Sequence, residues 1–223
     1  MQTRTHTRAT LLGMSLVIAI ALLKGGVGKT TTAVALAEAA TVAGPVTLLD
    51  TDPMGAAVRW SVLAEESGKP LEAAVIGHPS ASLGKRLGAL ARDSAVVVID
   101  APPPGALTIA QAAIQAASIV IVPVPARMAD LDRVPATLDI ARQGGQRRVY
   151  AVMTFARNVD SDDRRTNAEV AARAALGSWG VDVLDTALPP RVTIANQYGT
   201  RPRGALAKYG VDLLDEITRR TTE

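Results

Sequence analysis

The 223-residue sequence contains no cysteine. This absence excludes disulfide bonds, thiolate metal centres, iron–sulfur clusters and a cysteine nucleophile. Aromatic residues make up only 3% of the chain and hydrophobic residues 48%, so the core has to be built from Ala, Val, Leu and Ile. The net charge is only +3, which permits binding to a polyanion but does not require it.

The N-terminal region also lacks a complete targeting signal. Arg4 and Arg8 precede an apolar run at residues 11–23, as in a signal peptide, but no small-residue cleavage site follows. The run is too short to span a bilayer. We therefore expect residues 1–13 to be a disordered leader, with Met1 or Met14 as the start, and residues 14–223 to form one cytoplasmic domain without a membrane partner.

Short apolar runs alternate along the chain with alanine-rich stretches of helical spacing. This alternation predicts an α/β fold, with a doubly wound, mostly parallel sheet and helices on both faces. Ligands of such sheets bind beyond the carboxyl ends of the strands. The predicted strands are 16–23, 46–50, 96–100, 119–124, 149–154 and 181–184, and the predicted helices are 30–42, 105–117 and 167–176.

The first predicted strand leads into a glycine-rich stretch, "KGGVGKTT", at residues 24–31. It matches the phosphate-loop pattern G-x-x-x-x-G-K-[ST], except that Leu23 stands where the first glycine belongs. Glycines let backbone N–H groups point at phosphate oxygens, and the following helix adds its positive end. The residues predicted to contact a nucleotide are Gly25, Gly26, Val27, Gly28, Lys29, Thr30 and Thr31, with Lys29 on the β- and γ-phosphates and Thr30 on Mg²⁺.

Acidic residues follow two other predicted strands. Asp50 and Asp52 alternate in "LLDTDP", so an extended backbone would direct both toward the phosphate loop. A carboxylate there could order an attacking water or hold Mg²⁺ through water. Asp100 ends "AVVVID", the Walker B arrangement, in which binding of hydrated Mg²⁺ stabilises a buried carboxylate. We predict Thr30, Asp100 and Asp50 as metal-binding residues.

Together the segments "KGGVGKTTTAVALA", "LLDTDPMGAAVRW", "VVVIDAPP", "ASIVIVPV" and "LPPRVTIANQYG" resemble the ParA/MinD group of deviant-Walker P-loop ATPases. Short ParA-type partition ATPases, the ParF-like proteins, are most similar. The resemblance runs from about residue 16 to about residue 217. It implies ATP and Mg²⁺ as cofactors, slow ATP hydrolysis in the absence of a partner, and a homodimer that forms on ATP and encloses two nucleotides.

The resemblance also assigns roles to individual residues. Lys24 corresponds to the signature lysine that reaches the nucleotide of the other subunit, so Lys24, Lys29 and Asp52 are the predicted catalytic residues. Asp52 corresponds to the residue that positions the hydrolytic water. Pro189 and Thr154 fall at the expected adenine pocket. Leu22 departs from the family, which commonly has a polar residue there, and its effect on nucleotide binding or hydrolysis is left open.

ParA-type partition proteins bind nucleoid DNA without sequence preference and respond to a small centromere-bound adaptor of ParB or ParG type. By resemblance, Arg191, Arg201 and Arg203 are predicted to contact DNA, although a basic rim can also be a solvated surface. The predicted function is thus a nucleoid-associated DNA partition ATPase. The alternative is a positioning ATPase of the same mechanism whose cargo is a protein assembly, such as a carboxysome or chemoreceptor array.

Overall fold

Seven strands form one parallel sheet in the computed structural model, which describes residues 15–146, 148–156 and 165–222. The strand order is β3-β2-β4-β1-β5-β6-β7, and every pair is parallel. The strands are β1 Leu16–Ile20, β2 Val46–Asp50, β3 Ala74–Gly77, β4 Val96–Asp100, β5 Ile119–Pro125, β6 Val149–Thr154 and β7 Asp182–Leu188. The predicted leader, residues 1–13, lies outside the described residues.

Helices connect the strands and cover both faces of the sheet. They are α1 Lys29–Ala40, α2 Ala56–Glu66, α3 Gly84–Asp93, α4 Leu107–Ala116, α5 Val134–Gln143, α6 Asn167–Ser178, the short α7 Arg191–Ile194 and α8 Gly204–Thr222. Single 3₁₀ turns lie between some of these elements, one of them at Met128–Asp130. No helix in the described part of the chain is long and apolar enough to cross a membrane.

The side chains of the central strand β1 point alternately to the two faces of the sheet, and the core accordingly has two layers. Val17 and Ala19 of β1 pack into one hydrophobic cluster with α3, α4, α5 and α6, whereas Ile18 and Ile20 pack into the other with α1, α2 and α8. Side chains of a strand point alternately to opposite faces, so a wholly apolar strand buries both of its faces. The predicted fold class is confirmed.

Two helices on one face approach each other closely at a glycine. A Cβ atom added to Gly210 of α8 would lie 2.2 Å from the backbone oxygen of Ala35 in α1. Beside this contact, the buried Tyr209 hydroxyl pairs with Thr32 Oγ1 at 3.1 Å. Burial raises the pKa of Tyr209, so this phenol stays neutral. The helix that begins at the phosphate loop is thereby held against the C-terminal helix.

Candidate functional site

The glycine-rich segment forms a loop between β1 and α1, beyond the carboxyl end of the central strand. Gly28 caps α1 in the left-handed conformation, with φ 95°, and no side chain of the described residues caps the first turn. That turn contains no acidic residue. Its free backbone N–H groups and the positive end of the helix therefore suit an anion.

A cavity of about 370 Å³ opens beside this loop. Small-molecule sites in proteins commonly have volumes from about 300 Å³ upward. Most of the wall is made of loop backbone and polar side chains. The described lining residues are Gly25, Gly26, Gly28, Lys29, Thr30, Thr31, Asp52, Pro103 and Phe155.

Lys29 turns inward from the loop. Its side chain is 8% exposed, and its ammonium donates a hydrogen bond to the carbonyl oxygen of Lys24 at 2.7 Å. Burial lowers the pKa of Lys29, while the charges of Asp100 and Asp52 oppose this effect. A buried cation that already faces carboxylates gains further stabilisation from an added phosphate.

Asp100 and Thr30 meet at the base of the loop. Thr30 Oγ1 donates to Asp100 Oδ2 at 2.6 Å, and the buried Asp100 Oδ1 has no hydrogen-bond partner within the described residues. Burial raises the pKa of Asp100 to about 7, with the nearby Asp50 charge adding to the effect. An unpaired buried carboxylate oxygen beside a threonine hydroxyl fits hydrated Mg²⁺, which takes oxygen ligands and keeps several waters.

The structure also limits what kind of metal site this could be. Within the ranges that the structure covers, no group of three or more His, Cys, Asp or Glu side chains is arranged to hold a metal ion. Mg²⁺ bound with a nucleotide typically uses one or two protein ligands together with phosphate oxygens. The Thr30–Asp100 pair is consistent with that mode of binding.

Asp50 and Asp52 have different surroundings, because Asp50 is the last residue of β2 and the chain turns just after Asp52, at Pro53 and Met54. Asp50 Oδ1 accepts a hydrogen bond from the Asp52 backbone N–H, and Oδ2 accepts from Ala57 and Val58 at the start of α2. Asp52 lines the cavity and accepts from the Met54 backbone N–H. Of the two carboxylates, Asp52 alone belongs to a residue in the described cavity lining, and their shared direction toward the loop stays a prediction. The metal role predicted for Asp50 competes with its three backbone hydrogen bonds.

Lys24 is not among the described residues that line the cavity. Its ammonium donates to the Ala129 carbonyl oxygen at 2.6 Å and pairs with Asp132 at 2.9 Å and Asp130 at 3.1 Å. The hydrogen bond to Asp132 raises the pKa of Lys24 and lowers that of Asp132. The two acidic residues follow β5, more than 100 residues from Lys24 along the chain, so the sequence pattern did not reveal this contact.

The predicted adenine-pocket residues lie at neighbouring strand ends. Thr154 ends β6 and pairs in register with Leu188, the last residue of β7, which Pro189 follows. Thr154 is fully buried, and its hydroxyl has no hydrogen-bond partner among the described residues. Pro189 is partly buried. Phe155, which no sequence motif indicated, follows Thr154 in the chain and lines the cavity.

The three predicted DNA-binding arginines differ in their surroundings. Arg201 is half-exposed and forms ion pairs with Glu38 at 3.1 Å and Glu72 at 2.7 Å. Arg203 is exposed and forms no ion pair with any residue that the structure describes. The side chain of Arg191 lies outside the described part of the chain. The contact of these residues with DNA stays a prediction.

Three further residues show where the sequence left alternatives open. Trp60 is 3% exposed and donates from its indole N–H to the Thr200 carbonyl oxygen, so it is a core residue. Met54 is 82% exposed on the turn after Asp52 and is available to a partner. Leu22 packs into the core at 1% exposure, where a polar side chain would need a buried partner.

Comparison with known proteins gives one family match and several similar structures. Residues 18–220 match the family described as the CobQ/CobB/MinD/ParA nucleotide binding domain. The maintenance of carboxysome distribution protein A of Gloeobacter kilaueensis is 37% identical over 125 residues, which cover 56% of this chain and 52% of that protein. The match thus spans about half the length of that curated relative.

Two solved structures illustrate the range of similar folds. A plasmid partition protein from Borrelia burgdorferi, bound to AMPPNP, has a TM-score of 0.68 at 17% identity, covering 92% of this chain and 99% of that one. Cobyrinic acid a,c-diamide synthase from Mycobacterium smegmatis, with a bound ATP analogue and magnesium, has a TM-score of 0.68 at 24% identity, covering 94% and 96%. At these identities the likeness establishes the fold alone.

Proposed function

This chain belongs to the CobQ/CobB/MinD/ParA nucleotide-binding family, and on that premise we propose that it is a Mg²⁺-dependent ATPase of the ParA type that positions a protein cargo. ATP binding would drive two copies into a dimer that binds DNA without sequence preference. The 37% identity to a protein named for carboxysome distribution supports a protein cargo over a plasmid or chromosome. The cargo and its adaptor are part of the proposal.

In this mechanism the chain provides a prearranged phosphate site. The first turn of α1 and Lys29 would bind the triphosphate, and Thr30 and Asp100 would hold the magnesium ion. When bound, Mg²⁺ neutralises charge on the β- and γ-phosphate oxygens. Asp52, which lines the cavity, would orient a water for attack on the γ-phosphorus, which yields ADP and phosphate.

The observation that carries the proposal is the divergence of the two loop lysines. Lys29 is buried and lines the cavity, whereas Lys24 is absent from the described lining, and its ammonium pairs with carboxylates of the segment after β5. A monomer that needed a second cation for its own nucleotide would direct both lysines inward. A lysine outside the cavity lining would be able to reach a second copy and neutralise a phosphate charge there.

The proposal is tested by measuring mass and DNA binding together. Light scattering and DNA co-sedimentation are run with ADP, ATP and AMPPNP on the wild type, Lys24→Ala and the matched control Lys85→Ala. Lys85 is exposed on α3 and does not line the cavity. We expect a dimer that binds DNA only with ATP or AMPPNP, lost in Lys24→Ala and kept in the control. A wild type that stays monomeric with AMPPNP would contradict the proposal.

The same co-sedimentation assay separates the two described arginines. Arg203→Glu is expected to weaken DNA binding of the ATP form and to reduce its salt dependence, because a phosphate contact and its released counterion are lost. Arg201→Gln is expected to act mainly on stability, because its guanidinium bridges Glu38 and Glu72. Unchanged DNA binding in Arg203→Glu would remove that residue from the proposed surface.

DNA partition is the second candidate function, supported by the ParF-like motifs of the sequence. It predicts a small DNA-binding adaptor gene with repeat sites beside this gene, whereas a protein cargo predicts genes of shell or array components. An unstable test plasmid that carries the gene with its neighbours should be retained only under the partition function. Loss of that plasmid at the control rate would leave the protein-cargo proposal.

A further inference from the structure

Among the described residues that line the cavity, one is aromatic. Phe155 is the only phenylalanine of the sequence, and it directly follows β6 at the edge of the sheet where the phosphate loop lies. Its φ is 57°, and no other non-glycine residue in the described ranges has a positive φ. Bulky residues rarely adopt this left-handed conformation, and such outliers are concentrated at functional sites.

Phe155 contacts both the core and the cavity. It packs against the hydrophobic layer formed by α1, α2 and α8, and it also lines the cavity. Its Cζ lies 3.4 Å from the position that a Cβ atom on Gly28 would occupy. The ring is therefore supported from behind and lies against the last glycine of the phosphate loop.

The rest of the described cavity wall has a different character. Apart from Pro103, it consists of glycines, Lys29, two threonines and Asp52, which suit phosphates, a metal ion and water. These groups do not distinguish a nucleotide from an inorganic polyphosphate. A flat aromatic surface beside the phosphate site can make that distinction, because nucleobases stack on aromatic rings.

We propose that Phe155 is a specificity-determining residue, whose ring forms the stacking surface for the nucleobase of the bound nucleotide. This inference rests on the proposed nucleotide-binding function and refines it. The left-handed backbone at Phe155 directs the ring into the cavity, and contact with the core holds it there. The base of ATP gains a preformed partner, while the triphosphate binds independently of it.

Four variants test the ring and the backbone separately. Phe155→Ala and Phe155→Gly both remove the ring, but only glycine adopts a positive φ without strain. Phe155→Tyr keeps an aromatic surface, and Val42→Ala truncates an exposed apolar side chain that does not line the cavity. Dissociation constants of MgATP and of magnesium tripolyphosphate are measured by calorimetry for each protein, and each protein is first checked for cooperative thermal unfolding.

If the base stacks on the Phe155 ring, removing the ring should weaken binding only of ligands that carry a base. We expect MgATP binding to weaken on the order of 10-fold in both Phe155→Ala and Phe155→Gly, with tripolyphosphate binding unchanged. Phe155→Tyr and Val42→Ala should bind both ligands as the wild type does. A Phe155 that only packs the loop would give equal losses for the two ligands, and a residue without a role would give none.

Either of those results would overturn the inference and leave the proposed function intact. A different result would contradict the proposed function, namely a wild type that binds tripolyphosphate and MgATP equally weakly or not at all. If only Phe155→Ala is impaired and Phe155→Gly binds normally, backbone strain explains the loss, and the stacking role is wrong.

Discussion

At the end of β4, the carboxylate of Asp100 is buried beside Thr30, with one oxygen left without a partner in the described part of the chain. Removal from water makes the charged form costly and raises the pKa from 3.8 to about 7. The folded protein thus binds this proton more tightly than the unfolded chain does. The resulting stabilisation of the folded state is complete below the pKa of Asp100 in the unfolded chain, and it is lost as the pH rises through about 7.

Asp100→Asn is therefore expected to stabilise the nucleotide-free protein, and more strongly at pH 8 than at pH 5. Asparagine can still accept the Thr30 hydrogen bond but carries no charge. At pH 8 the free energy of unfolding of the variant should exceed that of the wild type by at most about 4 kcal/mol, because one pKa unit corresponds to about 1.4 kcal/mol. Calorimetric unfolding in chelator measures it, with the exposed Asp93→Asn as control. An equal difference at both pH values would contradict the raised pKa.

At the scale of residues, sequence motifs located the groups that each belong to one loop or strand-end pattern. Lys29, Thr30 and Asp100 occupy the cavity or its base as the loop and strand patterns predicted. Asp50 shows the limit of such reasoning, because its carboxylate is taken by N–H groups of α2. The Lys24–Asp132 contact joins residues 108 positions apart, and no local pattern signals it.

At the scale of elements, the crossing of α1 and α8 depends on Gly210, where a Cβ would lie 2.2 Å from a backbone oxygen. The obstructing atom belongs to the main chain of α1, so it cannot move aside by rotation of a side chain. The two helices would have to separate, with loss of contact around Tyr209 and Thr32. This crossing also bears on the site, because α1 starts at the phosphate loop.

Gly210→Ala is accordingly expected to lower the free energy of unfolding by about 1–3 kcal/mol, the usual cost of overpacking. The matched control is Gly88→Ala in α3, where a Cβ meets no atom within 4 Å. Alanine is a better helix former than glycine, so the control should be stabilised by up to about 1 kcal/mol. Urea unfolding followed by circular dichroism measures both. Equal changes in the two variants would show that helix propensity alone is at work.

Several strand boundaries agree with the sequence patterns, but β1 ends at Ile20, whereas the predicted strand continued over the buried residues 21–23. The predicted strands 46–50, 96–100 and 149–154 agree with β2, β4 and β6, because strands buried on both faces are continuously apolar. The edge strand β3, Ala74–Gly77, was missed, since its four residues are partly exposed and too few for a pattern. The strand predicted at 181–184 extends to Leu188, because pairing with β6 continues there across an irregularity in register.

At the scale of the whole molecule, the proposed dimer requires Lys24 to leave its own subunit's carboxylates. Asp130 and Asp132 hold the ammonium within the chain that the structure describes, together with the Ala129 carbonyl oxygen. In the proposed dimer the same ammonium would face a nucleotide of the second copy. The internal ion pairs therefore compete with dimer formation. Molecules whose Lys24 is held in these ion pairs cannot dimerise at once, which lowers the apparent affinity for the second copy.

Replacing both carboxylates, by Asp130→Asn with Asp132→Asn, is expected to favour the dimer. Exposed ion pairs are weak, so the AMPPNP concentration at half-dimerisation should fall by about two- to fivefold, and less in high salt. Light scattering over a nucleotide titration measures it, with Asp139→Asn, which breaks an exposed pair with Arg142, as the control. If the double variant dimerises less readily than the control, Asp130 and Asp132 act in the dimer itself and do not restrain Lys24 in the monomer.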